Sequence, residues 1–200
     1  MCKILITGFE PFGDYAENSS WEAVKKVASF GVFNADIATE CLPVSFVRAP
    51  MTLREAIDRH TPDVVIMLGQ SATADCIKLE RVALNMMDSA MGDNDGAKPD
   101  EEPIDEDGAT ALFTSLPIKI LRSAIEAKGI NVKISNSAGL YVCNRAYYEA
   151  LRMCKERGAM QAIFVHLPLY EGQTSPHRDK KNMPLGDMCR AIQTIIEEII

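Results

Sequence analysis

A thiol can act as a nucleophile once a neighbouring base takes its proton, and this chain carries a cysteine and a histidine suited to that exchange. Cys143 follows Ser137-Ala138-Gly139-Leu140-Tyr141-Val142, where an extended pattern gives way to a helical one. Unpaired backbone N–H groups and the helix dipole at such a junction would favour a thiolate. The same cysteine also belongs to an apolar helical stripe with Ala146, Tyr147, Ala150, Leu151 and Cys154, so core packing is an open alternative. His166 closes the run AIFVH just before Leu167 and Pro168, which would bring its imidazole out at the carboxyl edge of a sheet. His60 at a helix end and His177 in a polar loop read as surface residues. A thiol–imidazole pair works best when a third group fixes the imidazole tautomer. Glu80, inside the strand-like run IKLERVALN, is a candidate because a carboxylate is costly to bury without a partner. It could equally be a paired or edge-exposed glutamate, with Arg81 as its partner.

The elements that must position these residues follow from periodicity. Buried or alternating apolar runs predict strands at 3–9, 36–43, 63–69, 78–87, 132–135 and 162–167. Three- and four-residue spacings predict helices at 19–30, 52–60, 118–128, 143–157 and from about 185 onward. Asn18 or Ser19 can cap the first helix, and Met188, Ile192, Ile195, Ile196 and Ile199 give the last one its apolar face. Repeated strand–helix alternation implies an α/β fold in which a mostly parallel, twisted sheet carries helices on both faces. In such folds the site lies at the strands' carboxyl ends. The expected organisation is one domain over residues 1–200. Residues 88–108 are polar and unusually long for a connection, as expected of a lid or a mobile excursion.

A formal net charge of −7 without a basic stripe argues against nucleic acid or an anionic membrane as partner. The acidic run at 100–107 reads as a solvated loop. The N-terminal apolar run is too short for a signal peptide or a span. Six scattered cysteines without a C-x-x-C pair suit free thiols in the cytoplasm, not disulfides or zinc.

Ordered blocks along nearly the whole chain resemble the pyroglutamyl peptidase I family. They are ILITGFEPFG at 4–13, SSWEAV at 19–24, DVVIMLGQ at 63–70, ERVALN at 80–85, DNDG at 93–96, SNSAGLYVCN at 135–144 and FVHLP at 164–168. The resemblance implies a cysteine peptidase that removes N-terminal pyroglutamate from peptides, with Glu80, Cys143 and His166 as its triad. It also implies that Phe9 and Phe12 hold the pyrrolidone ring, with Gln70, Met91, Tyr141 and Val142 as further pocket residues. On residue type alone, core packing would explain both phenylalanines. No metal or organic cofactor is implied, and the family's habit suggests a homodimer or homotetramer, for which Met86, Met87 and Met91 could supply an interface or a pocket wall. Two family arginines are missing: Ala90 stands in place of one, and Ser71-Ala72-Thr73-Ala74 replaces the segment holding the other. Those departures keep two rival readings open, a thiol amidase of different acyl preference and a silent lactam-binding relative.

Overall fold

The computed structural model describes residues 1–30, 34–173 and 182–200, so His177 lies outside the described residues. At its centre is a six-stranded sheet ordered β2 (Ala35–Leu42), β1 (Cys2–Phe9), β3 (Val64–Gln70), β8 (Gln161–Leu167), β4 (Ile77–Glu80) and β7 (Val132–Ser135). The first four run parallel; β4 is antiparallel to β8, and β7 is parallel to β4. In β3 every residue from Val64 to Gln70 is buried, as its unbroken apolar run predicts for a strand covered on both faces.

Alternation along β1 sends Ile4 and Ile6 to one face and Leu5 to the other, which divides the core in two. On the first face lie α1 (Ser19–Phe30), α3 (Ile118–Ala127) and α5 (Leu185–Ile199); on the second lie α2 (Arg48–His60) and α4 (Val142–Arg157). The expected sandwich of helices on a mostly parallel sheet is therefore what forms. The α5 face is buried at Met188, Ile192, Ile195 and Ile196, with Ile199 packed at its margin. Helix α2 starts at Arg48, four residues before the expected position. Its Pro50 sits in the first turn, where a missing N–H leaves no bond unmade, and Ser45 Oγ accepts the Arg48 N–H at 3.0 Å.

The single strand expected over 78–87 is instead two. Beyond β4 the Arg81 backbone bonds to Ser135 on one side and Thr114 on the other, and the chain leaves the main sheet. It then forms β5 (Val82–Leu84), which pairs antiparallel with β6 (Ala111–Phe113), a strand the sequence pattern did not reveal. A short parallel pair, β9 (Leu169–Tyr170) with β10 (Asn182–Met183), completes the elements. At the carboxyl end of β1, a Cβ on Gly8 would lie 2.9 Å from the Trp21 backbone. Glycine there lets α1 seat its first turn against the strand.

Candidate active site

His166 and Glu80 meet across the antiparallel β4–β8 pair. The register places Lys78 opposite His166, so Glu80, two residues on, shares its face and reaches it diagonally. Nδ1 of His166 lies 2.8 Å from Glu80 Oε1. Glu80 is fully buried, and among the described residues its second oxygen has no hydrogen-bond partner. The carboxylate's partner is thus the histidine, not Arg81. Beneath it, the Tyr147 hydroxyl donates to the Glu80 backbone carbonyl at 3.0 Å.

Cys143 reaches the same place from α4. Gly69 on β3 is the register partner of His166. A Cβ built on Gly69 would sit 3.1 Å from the Cys143 sulfur and 2.6 Å from the Phe164 ring, so the thiol lies over the strand position beside the histidine. Cys143, His166 and Glu80 line one cavity of about 300 Å³. The start of α4 has no side-chain cap at Tyr141. The N–H groups of Val142, Cys143 and Asn144, in the helix's first turn, lack intrahelical carbonyl partners. Asn144 fixes that turn: buried, it accepts from the Leu84 N–H and donates to the carbonyls of Leu84 and Met86.

Burial pushes the Cys143 thiol up to about 12, and the Glu80 charge adds to the rise; the cysteine's own backbone N–H pulls the other way. Burial thus opposes the thiolate that the helix start alone would favour, so attack by this sulfur calls for a neighbouring base to take its proton.

A second, narrower cavity of about 40 Å³ adjoins the sulfur and is lined by Phe9, Phe12, Gln70, Tyr141, Val142 and Cys143, together with Asn18 and Val44. Five of the six expected pocket residues meet there. Met91 does not line it: this residue is half-exposed and only its carbonyl is engaged, by Ser89 Oγ. Gln70 is held by its oxygen, which accepts from the Ser19 backbone N–H at 2.8 Å and from Gln173 Nε2 at 2.7 Å. Because a backbone N–H can only donate, the Gln70 amide nitrogen must point away, and it is buried with no partner among the described residues. Asn18 caps α1 by accepting from the Ser20 N–H.

The 88–110 segment is stitched down, not an excursion. Buried Asp93 accepts from the N–H groups of Phe46, Asp95 and Ala97. Asn85 bonds to the backbone at Ile104, Asp105 and Gly108. Asp88 donates to the Leu140 carbonyl, and the Tyr141 hydroxyl donates to that of Gly92. Ala90 is exposed within this segment. Asn144 and Asp93 escape the site reading because they act on backbone groups that mostly come near only by folding, and Gln173 because its partner, the Gln70 side chain, is 103 residues away; Asn18 acts as a local cap. Only Asn18 carried a signal, as a cap. A further cavity, of about 590 Å³ between α2, α4 and residues 97–104, contains none of the triad. Among the described residues, no group of three His, Cys, Asp or Glu side chains is placed to hold a metal.

A family model described as pyroglutamyl peptidase matches residues 2–200. A pyrrolidone-carboxylate peptidase of Bacillus licheniformis is 37% identical over 196 residues, covering 98% of this chain and 87% of that protein. One from Thermococcus kodakarensis is 37% identical over 198 residues, covering 98% and 95%. Among solved structures, pyrrolidone carboxyl peptidase from Fervidobacterium islandicum superposes with a TM-score of 0.95 at 33% identity, covering 100% of this chain and 98% of that one. The Thermococcus litoralis enzyme gives 0.93 at 33%, covering 98% and 92%.

Proposed function

The chain belongs to the pyroglutamyl peptidase family: it is a cysteine peptidase that removes N-terminal pyroglutamate, and we propose that it does so with Cys143 as nucleophile, His166 as base and Glu80 as the acid that orients the imidazole. The observation that carries these roles is the 2.8 Å contact of His166 Nδ1 with a fully buried Glu80, beside a sulfur held over Gly69.

In this reading Nδ1–H donates to Glu80, which leaves Nε2 as the acceptor for the thiol proton. Proton transfer to His166 accompanies attack on the pyroglutamyl carbonyl, because burial disfavours a free thiolate. The carbonyl oxygen gains charge beside the uncapped N–H groups of the α4 start, which suit an oxyanion. His166 returns its proton to the departing amine, and water, activated by the same imidazole, hydrolyses the thioester. In this reading the lactam ring lies against Phe9, Phe12 and Tyr141, which line the narrow cavity, with the Gln70 amide nitrogen available to its carbonyl oxygen. A prolyl ring of similar shape would bring an unpaired ammonium into the same apolar cavity. Pyroglutamyl amides should therefore be cleaved at least about 100-fold faster than prolyl amides.

Hydrolysis of pyroglutamyl aminomethylcoumarin, with Cys143→Ser as control and prolyl aminomethylcoumarin as competitor substrate, tests the reading. Comparable rates on the two amides would replace the lactam pocket by a broader amidase site. Binding of 2-pyrrolidone without turnover would leave only a silent relative. Homo-oligomerisation and a cytoplasmic setting belong to the same proposal. The first is supported by Met86 and Met91, 39% and 50% exposed, and the second by six free cysteines. Among the described residues no helix is long and apolar enough to cross a membrane.

A further inference from the structure

We propose that Lys78 makes the leaving-group side of the site a carboxylate-reading subsite, so that peptides with Asp or Glu immediately after pyroglutamate are preferred over those with Lys or Arg; this rests on the triad reading above. The direction of the substrate fixes where that side lies. The narrow cavity at Phe9 and Phe12 takes the ring, and the departing amine must face the imidazole that protonates it. The wider cavity of about 300 Å³ shares Gln70, Tyr141 and Cys143 with the narrow one and adds His166. The residue after the scissile bond therefore enters it. Besides the triad, Ser71, Lys78, Ser137 and Gly139 line its wall, and among the described residues Lys78 is the only Lys or Arg side chain that lines it.

Lys78 is half-buried on β4, directly opposite His166 in register. Among the described residues no carboxylate lies within ion-pair distance of it: Glu80 pairs with His166, and Asp75 pairs with Lys133, the next residue in the row across the sheet. An unpaired, partly desolvated ammonium beside a site is a ready counter-ion for a substrate carboxylate. The whole-protein field works the other way, because a net charge of −7 repels acidic peptides. A preference for an acidic second residue would thus mark a local cation, not the global charge.

The test compares kcat/KM for pyroglutamyl-glutamyl, pyroglutamyl-glutaminyl and pyroglutamyl-lysyl alanine amides, read as ratios within each enzyme so that any general loss cancels. We expect the wild type to favour glutamyl over lysyl by about 5- to 20-fold, with glutamine between. Lys78→Gln should bring the ratio to within about twofold of unity, and Lys78→Glu should invert it. Equal wild-type rates on the three peptides, or a ratio unchanged in Lys78→Gln, would overturn the subsite. Wild-type hydrolysis of pyroglutamyl aminomethylcoumarin is measured alongside. If that fails, the triad reading falls and takes the subsite with it; if it succeeds while the peptide ratios stay flat, the subsite alone is refuted.

Discussion

Replacing Glu80 by glutamine keeps the shape of the side chain and removes only its charge. During attack, His166 becomes an imidazolium whose Nδ1 sits 2.8 Å from Glu80 Oε1, inside a fully buried pair. Charge centres about 4 Å apart at an effective dielectric of about 20 interact by about 4 kcal/mol, which corresponds to about 10³ in rate. The loss should fall on kcat, because the imidazolium exists only along the reaction path, and KM should move little. Stability should move the other way. A buried carboxylate with one unpartnered oxygen is an expensive group, and the neutral amide removes the charge while keeping an oxygen toward the imidazole. Glu80→Gln should therefore unfold at the same or a higher temperature. The assay is steady-state turnover of pyroglutamyl aminomethylcoumarin beside a thermal melt of the same sample. A kcat within about threefold of wild type would refute the orienting role. A rate loss that tracks a large fall in Tm would reduce Glu80 to a structural residue.

Two further outcomes follow from packing and titration. Gly69→Ala places a methyl 2.6 Å from the Phe164 ring and 3.1 Å from the Cys143 sulfur. It should cost about 1–3 kcal/mol in a urea titration and lower kcat by about 10² through displacement of the thiol; a variant as stable and active as wild type would show that the sulfur does not depend on this close approach. Burial raises Cys41 and Cys154 from 9.0 to about 11. A raised folded-state pKa means that the folded protein holds these protons more tightly than the unfolded chain does. The stability they contribute is complete below about pH 9 and is lost as pH rises toward 11. Urea midpoints should fall between pH 9 and 11, and less steeply in the Cys41→Ala, Cys154→Ala double variant; a flat profile in the wild type would reject the assignment.

The parts of this molecule that the sequence displayed are those encoded by local repetition. The buried run of β3 and the spaced apolar residues of α5 are periodic signals, and periodicity follows from which face must leave water. The blocks at Glu80, Cys143 and His166 were visible for another reason, a resemblance carried by residue types in order. What spacing could not give was their meeting. Glu80 and His166 are 86 residues apart, and they touch because β4 runs antiparallel to β8 in a sheet otherwise expected to be parallel there. The 78–87 run reads as one strand by residue type, although its apolar set shifts register across Glu80-Arg81, from Leu79 to Val82, Leu84 and Met86. The break comes from bonds that Arg81 makes to Ser135 and Thr114, far along the chain.

The same physical distinction bears on the thiol. A helix start is a local feature and predicts a lowered pKa. Burial, with the sulfur set close to the Gly69 position that faces Phe164, is a tertiary one, and it raises the pKa. Local reasoning about Cys143 therefore points to the place, while burial opposes the charge that the helix start favours. That opposition has a chemical consequence: a thiol whose ionisation burial disfavours depends on its base in the attacking step itself. Glu80 and His166 then act with Cys143 in that step while the Gly69 approach sets where the sulfur lies, so the losses from changing them together should be smaller than the product of the single losses.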